Sequence, residues 1–220
     1  MKKSWKKFLV AGLTAGIFSA GFNFASAAPN DVYSKMPRTV ITTDGEVDDM
    51  DSVIRALLYS NEMDIAGIVI TSSTYHYAGD AEKKIEPFRW TGTKWIYKFL
   101  DDYEKVHPNL LKHDKNYRPA DYYRNLTHIG NISNVGEMDK VTDGSEFLKK
   151  LFLDDDKRTL YVQTWGGTNT TARALKSIEE EYKNTPQWSQ ITQSADEKLC
   201  NNGGRLGRSF WKFSRKIGSK

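Results

Sequence analysis

The stretch from Thr42 to Asp51 holds five acids in ten residues, and it separates two apolar patterns of different period. Before it, Thr39-Val40-Ile41-Thr42 is a β-branched run that predicts a strand over 39–43. After it, Met50, Val53, Ile54, Leu57 and Leu58 recur at helical spacing and predict one buried face on a helix over 48–61. Asp64-Ile65-Ala66-Gly67-Ile68-Val69-Ile70-Thr71 reads as a second strand, apolar enough to be covered on both faces of a parallel sheet. Strand, helix and strand in so short a span make a βαβ unit, whose crossover is expected to be right-handed. The acids then fall at the carboxyl edge of an open α/β sheet, where ligand crevices form.

Carboxylates this close repel one another, by about 1 kcal/mol per pair in water and about 4 kcal/mol near a protein surface. A divalent cation would remove that cost. The competing reading is that Asp48 and Asp49 cap the helix, because acids at a helix N-terminus suit its free N–H groups and its dipole. Capping leaves Asp44, at the strand end, without a role. A calcium loop of EF-hand type fits poorly, since its sixth position would be Asp49 in place of Gly and its twelfth Arg55 in place of Glu.

The rest of the body continues the α/β pattern. Residues 28–38, with Pro29 and Pro37, read as an extended lead-in. Ser72 to Tyr77 follows the second strand and should face the acidic loop across the crevice, as a substrate-contacting loop or as a plain polar connection. His76 within it is a weak signal, and a hydrogen-bonded surface histidine is the simpler identity. A helix is predicted over 88–103, with Trp95, Ile96, Phe99 and Leu100 on one face. Trp90, Trp95, Tyr97 and Phe99 at that spacing suit core packing better than a sugar-stacking platform. Residues 107–131 read as a loop-rich excursion. A helix over 145–153, a strand over 158–164 and a helix over 171–183 follow. Between the last two lies Trp165-Gly166-Gly167-Thr168-Asn169-Thr170, where the glycines allow close backbone approach at a strand-to-helix turn. No Lys follows them, so a phosphate loop is a poor fit.

The two ends differ from this body. The formal charge is +4, of which residues 1–27 contribute +4 and residues 192–220 contribute +5, leaving −5 for residues 28–191. The basic balance thus belongs to the ends and does not indicate a nucleic-acid partner. Residues 1–27 have the form of a secretory signal: opening lysines, an apolar run from Phe8, and Ala25-Ser26-Ala27 as a cleavage site. Export to the periplasm or outside the cell is expected, with no membrane association after cleavage. Cys200 is the single cysteine, so no internal disulfide can form. From Thr192 the pattern changes, and no strand is expected to resume in the basic, aromatic tail of 192–220.

Two separated motifs coincide in one known family. Asp44-x-x-x-Asp48-Asp49 after a first strand resembles the calcium signature of nucleoside hydrolases of the inosine–uridine type. Trp165-Gly166-Gly167-Thr168-Asn169-Thr170 before an Ala-containing helix resembles their later strand–turn–helix. Thr42–Asp49, Leu57–Glu62 and Trp165–Thr170 together resemble most closely the secreted cellulose-binding, nucleoside-hydrolase-like domain, over about residues 37–191. The resemblance implies a mostly parallel open sheet with helices on both faces, Rossmann-like and incomplete at its carboxyl end. It implies Asp44, Asp49 and the Thr168 carbonyl as calcium ligands, Asp48 and Asn169 as substrate contacts, and Asp44 as the catalytic group that orients or deprotonates water. Three departures qualify it. Thr42 stands where the family has an Asp, Thr71–Thr74 offer no clear match to its Asn, and its late Asp and His have no match after Ile191.

The implied function is calcium-dependent hydrolysis of an N-glycosyl, ribosyl compound by an exported protein. The alternative is a carbohydrate-binding domain, with a polysaccharide as partner, that keeps the fold without the reaction. A metal-dependent glycosyltransferase using Asp49-x-Asp51 is a weaker third, since no nucleotide-sugar pocket can be placed.

Overall fold

A computed structural model describes residues 31–201 and 204–205. The expected signal segment 1–27 and most of the 192–220 tail lie outside those residues. Strands β1 (Arg38–Thr43), β2 (Asp64–Ile70), β3 (Thr127–Ile129), β4 (Leu160–Thr164), β5 (Leu199–Asn201) and β6 (Gly204–Arg205) form one sheet in the order β3-β2-β1-β4-β5-β6. The first five run parallel and β6 pairs antiparallel with β5. The strand order reverses between β1 and β4, which makes their carboxyl ends the switch point of the sheet.

Helices cover both faces, as expected. On one face α2 (Val47–Leu58), α3 (Trp95–His113) and α4 (Ala120–Asn125) pack Val53, Leu57, Ile96, Leu100 and Tyr123 against Ile65, Ile68 and Ile70. On the other, α5 (Asp143–Leu153), α6 (Asn169–Tyr182) and α7 (Trp188–Lys198) pack Leu148, Phe152, Leu175 and Ile178 against Val40, Val69, Leu160 and Val162. Ile68, Val69 and Ile70 thus alternate between two cores, as period-two side chains on a doubly covered strand must. The register of β1 against β2 shifts between Thr39 and Val40, beside Gly67. A Cβ on Gly67 would lie 2.4 Å from the Phe147 ring, so only glycine lets α5 sit down on this strand.

The helical face read from the sequence needs correction. Val53 and Leu57 are buried, but Ile54 and Leu58 are 41% and 44% exposed, and Ala56 takes the inward position. The 88–103 helix starts later and runs longer, because the chain continues helically through Pro108 to His113. Trp95 and Phe99 pack edge to face against the core, while Tyr97 is exposed. The excursion at 107–131 contains the end of α3, α4 and the edge strand β3. The lead-in contains a one-turn helix α1, Asp31–Ser34. The expected break at Ile191 falls inside α7, and a strand does resume after it, since β5 adds to β4 through Leu199 and Leu160. The buried Lys198 ties this segment to the body by bonding the Leu151 and Asp154 carbonyls and the Asp154 carboxylate.

Leu148 is fully buried between the sheet and α6. Leu148→Ala should therefore cost about 2–5 kcal/mol, read as a lower urea midpoint at unchanged slope.

Candidate functional site

The acidic stretch folds back on itself at the end of β1. The chain turns at Gly45, whose φ of +79° suits glycine, and whose Cβ, if present, would lie 2.6 Å from the Trp95 indole nitrogen. Glu46 takes the N-cap position of α2 and makes no side-chain capping bond. Asp49, in the first turn, points back to the strand. Its Oδ2 accepts hydrogen bonds from the Thr43 hydroxyl at 2.8 Å and from the Asp44 N–H at 3.0 Å. Asp44 in turn accepts from the Glu46 N–H through Oδ1 at 3.0 Å. Capping does not explain the arrangement, because Asp44 and Asp49 are 2% and 5% exposed and face each other across the turn. Asp48 is exposed on the first turn of α2.

The turn after β4 closes over this pair. The Trp165 N–H and the Gly166 N–H both reach the Thr42 carbonyl, and the Gly167 N–H donates to the Ser72 carbonyl, beyond β2, at 3.0 Å. A Cβ on Gly166 would lie 2.8 Å from the Asp44 nitrogen, and one on Gly167 2.1 Å from the Ser72 oxygen. The close approach expected of the two glycines is therefore real: Gly166 lies against Asp44 and Gly167 against Ser72.

Thr168 precedes α6, and its carbonyl accepts the Ala172 N–H, which leaves one lone pair. Asn169, expected as a substrate contact, is bonded to the scaffold. Its Oδ1 accepts from the Thr71 hydroxyl, and its Nδ2 donates to the Ser72 hydroxyl oxygen and to the Asn131 and Glu137 carbonyls. With its amide spent on the scaffold and 2% exposed, Asn169 clamps the ends of β2 and β3 to the start of α6.

The loop after β2 does face the acids. The Ser73 hydroxyl oxygen accepts the His76 N–H, the Ser73 N–H donates to the His76 carbonyl, and this tight turn brings the imidazole over Glu46. Nδ1 of His76 lies 3.0 Å from Glu46 Oε1 but out of line for a hydrogen bond. His76 is buried, not the surface histidine the sequence suggested. Glu46 as its neighbour was not foreseen, since thirty residues separate them and only the fold joins them.

Two buried carboxylates facing each other are oxygen donors of the kind a hard cation takes. Among the described residues no Lys or Arg is paired with Asp44 or Asp49. Burial, with a smaller push from the Asp44 charge, raises Asp49 to about 7, against the opposing hydrogen bonds from Thr43 and the Asp44 N–H. A carboxyl with a raised pKa holds more protons folded than unfolded, so it contributes less stability as pH rises through that window. Stability should fall between about pH 4 and pH 7, with a slope of at most about 1.4 kcal/mol per pH unit from this group. Asp49→Asn should flatten that fall in thermal scans across pH. Asn169→Ala should lower stability by about 1–3 kcal/mol for each buried partner it strands, in urea titration.

This geometry can be set beside known proteins. A solved structure of a nucleoside hydrolase-related hypothetical protein from Saccharophagus degradans, associated with carbohydrate metabolism, superposes with a TM-score of 0.63 over 78% of this chain at 24% identity. The chain spans 40% of that protein's length, and the likeness establishes the α/β fold. No curated protein matches significantly in sequence. The family described as cellulose-binding Sde182, nucleoside hydrolase-like domain matches residues 38–198, which carry both the Asp44–Asp49 pair and the Gly166-Gly167 turn. The chain belongs to this nucleoside hydrolase-like family.

Proposed function

We propose that this chain is an exported carbohydrate-binding protein that takes its ligand at the switch-point crevice, with calcium held by Asp44, Asp49 and the Thr168 carbonyl. The observation that carries the reading is the buried Asp44–Asp49 pair without a cationic side chain. Two such carboxylates need a proton or a cation, and a sheet's switch point is where ligands are taken. A bound calcium ion would supply positive charge to the pair and oxygen-coordinating positions to sugar hydroxyls. Asp48, exposed on the first turn of α2, would accept from a sugar hydroxyl. The family's cellulose-binding description and the carbohydrate association of the solved relative support the ligand class.

Hydrolysis of an N-glycosyl, ribosyl compound is the second reading. A carboxyl pair that holds a proton close to neutral pH is what favours it, since general acid–base groups work best near the operating pH. In that reaction Asp44 orients or deprotonates the attacking water, and the neighbouring carboxylates stabilise the oxocarbenium-like sugar. Against it, Asp44 is 2% exposed and gives water little access.

Calcium titration by calorimetry, beside Asp49→Ala, tests the shared premise. Binding that the substitution abolishes is expected. Retention on cellulose should then fall when calcium is chelated and in Asp49→Ala alike. Retention indifferent to both would move the carbohydrate site away from this crevice. Release of free base from nucleosides, lost in Asp44→Asn, would favour the second reading over the first.

A further inference from the structure

A second set of donors converges beside the acid pair. One oxygen of Asp44, one of Glu46 and one imidazole nitrogen of His76 all lie within 4.8 Å of one another. The three come from the end of β1, the N-cap of α2 and the loop after β2, so the fold itself assembles them. His76 is 7% exposed, and its Nδ1 is buried without a hydrogen-bond partner although it faces Glu46 at 3.0 Å. A buried ring nitrogen left unbonded costs free energy unless something else satisfies it. Its backbone is pinned by the Ser73 turn, so the ring is held over the carboxylates rather than free to turn to solvent.

We infer that Asp44, Glu46 and His76 form a site for a borderline divalent metal ion of the zinc class. Imidazole is a ligand for such ions and a poor one for calcium, which takes oxygen. One nitrogen and two carboxylate oxygens make three protein ligands, the number that leaves a tetrahedral zinc site open to a further ligand. Tetrahedral bonds of about 2.0 Å space the donors about 3.3 Å apart, against 3.0 Å between His76 Nδ1 and Glu46 Oε1 here, so the donors must adjust. Glu46, with the most exposed side chain of Glu46 and His76 at 29%, supplies the movement. The Asp44 oxygen not engaged by the Glu46 N–H remains for the metal. The site goes beyond the calcium reading and shares only Asp44 with it. Zinc at this position would lie in the same crevice and present its open position to the same ligand.

The purified chain should be titrated with zinc chloride by calorimetry, and with calcium chloride separately. One zinc ion per chain is expected. His76→Ala should weaken it by at least about 100-fold, more than the roughly 10–100-fold that loss of an outer-shell partner costs. Glu46→Gln, at a partly exposed position that tolerates change, should weaken zinc as well while the circular dichroism spectrum is kept. Asp49→Ala should abolish calcium binding and leave zinc within a few-fold. Absence of zinc binding, or zinc affinity unchanged in His76→Ala and Glu46→Gln, overturns the inference. The latter result would assign the zinc to another histidine, such as the His128–Asp143 pair, which lies away from the crevice. Loss of calcium binding alone would count against the proposed function and leave this site standing.

Discussion

The double pairing of β1 governs the carboxyl edge. β1 is hydrogen-bonded to β2 on one side and β4 on the other, and all six of its residues are buried. The chain leaving β1 goes to α2 on one face, while the chain leaving β4 goes to α6 on the opposite face. The two loops therefore leave toward opposite faces above β1, the place where open α/β sheets form ligand crevices. Because α2 starts three residues beyond Asp44, its first turn carries Asp49 back over the strand end, and the pair forms without any long-range search.

A polar network fixes that edge of the sheet. Thr71, Asn131, Asn169 and Thr170 are buried, and they bond to one another across the ends of β2 and β3 and the start of α6. A network of this kind is stabilising only if every member is satisfied, and Asn169 achieves that with four bonds. The Gly166-Gly167 turn can then lie directly on Asp44 and Ser72, because its neighbours do not shift. Positions that look like ligand contacts in the sequence thus divide: Asn169 fixes the frame, and Asp48 is left facing outward.

What the sequence conveyed followed range. β1, β2, β4, α5 and α6 rest on local periodicity, and their residues announce them. The acid pair was readable because both members sit within one strand–helix turn. β3 and β5 were not, since Thr127-His128-Ile129 and Leu199-Cys200-Asn201 are too short to show a period, and only pairing with β2 and β4 makes them strands. Ile54 and Leu58 fit the helical stripe as well as Val53 and Leu57 do, but α3 crosses α2 so as to cover only part of it. Glu46 and His76 meet through tertiary structure alone, and no spacing rule reaches across thirty residues of strand, helix and loop.

The opposite edge of the same sheet treats its acids differently. There Asp64 is also buried, and it is paired with Arg118 at 2.9 Å and Arg158 at 2.8 Å. Asp154 is met by Arg38 and Lys198, and although burial pushes its pKa up, their hydrogen bonds and charges outweigh it and leave it below the ordinary carboxylate value. The chain therefore neutralises buried acids with its own cations where the role is structural. At Asp44 and Asp49 it supplies a hydroxyl and backbone N–H groups but no lysine or arginine, and at Asp49 burial wins. Unneutralised buried charge is costly to fold around. The chain thus meets its acids with arginine and lysine at one end of the sheet, and at the other leaves Asp44 and Asp49, among the described residues, without a lysine or arginine partner.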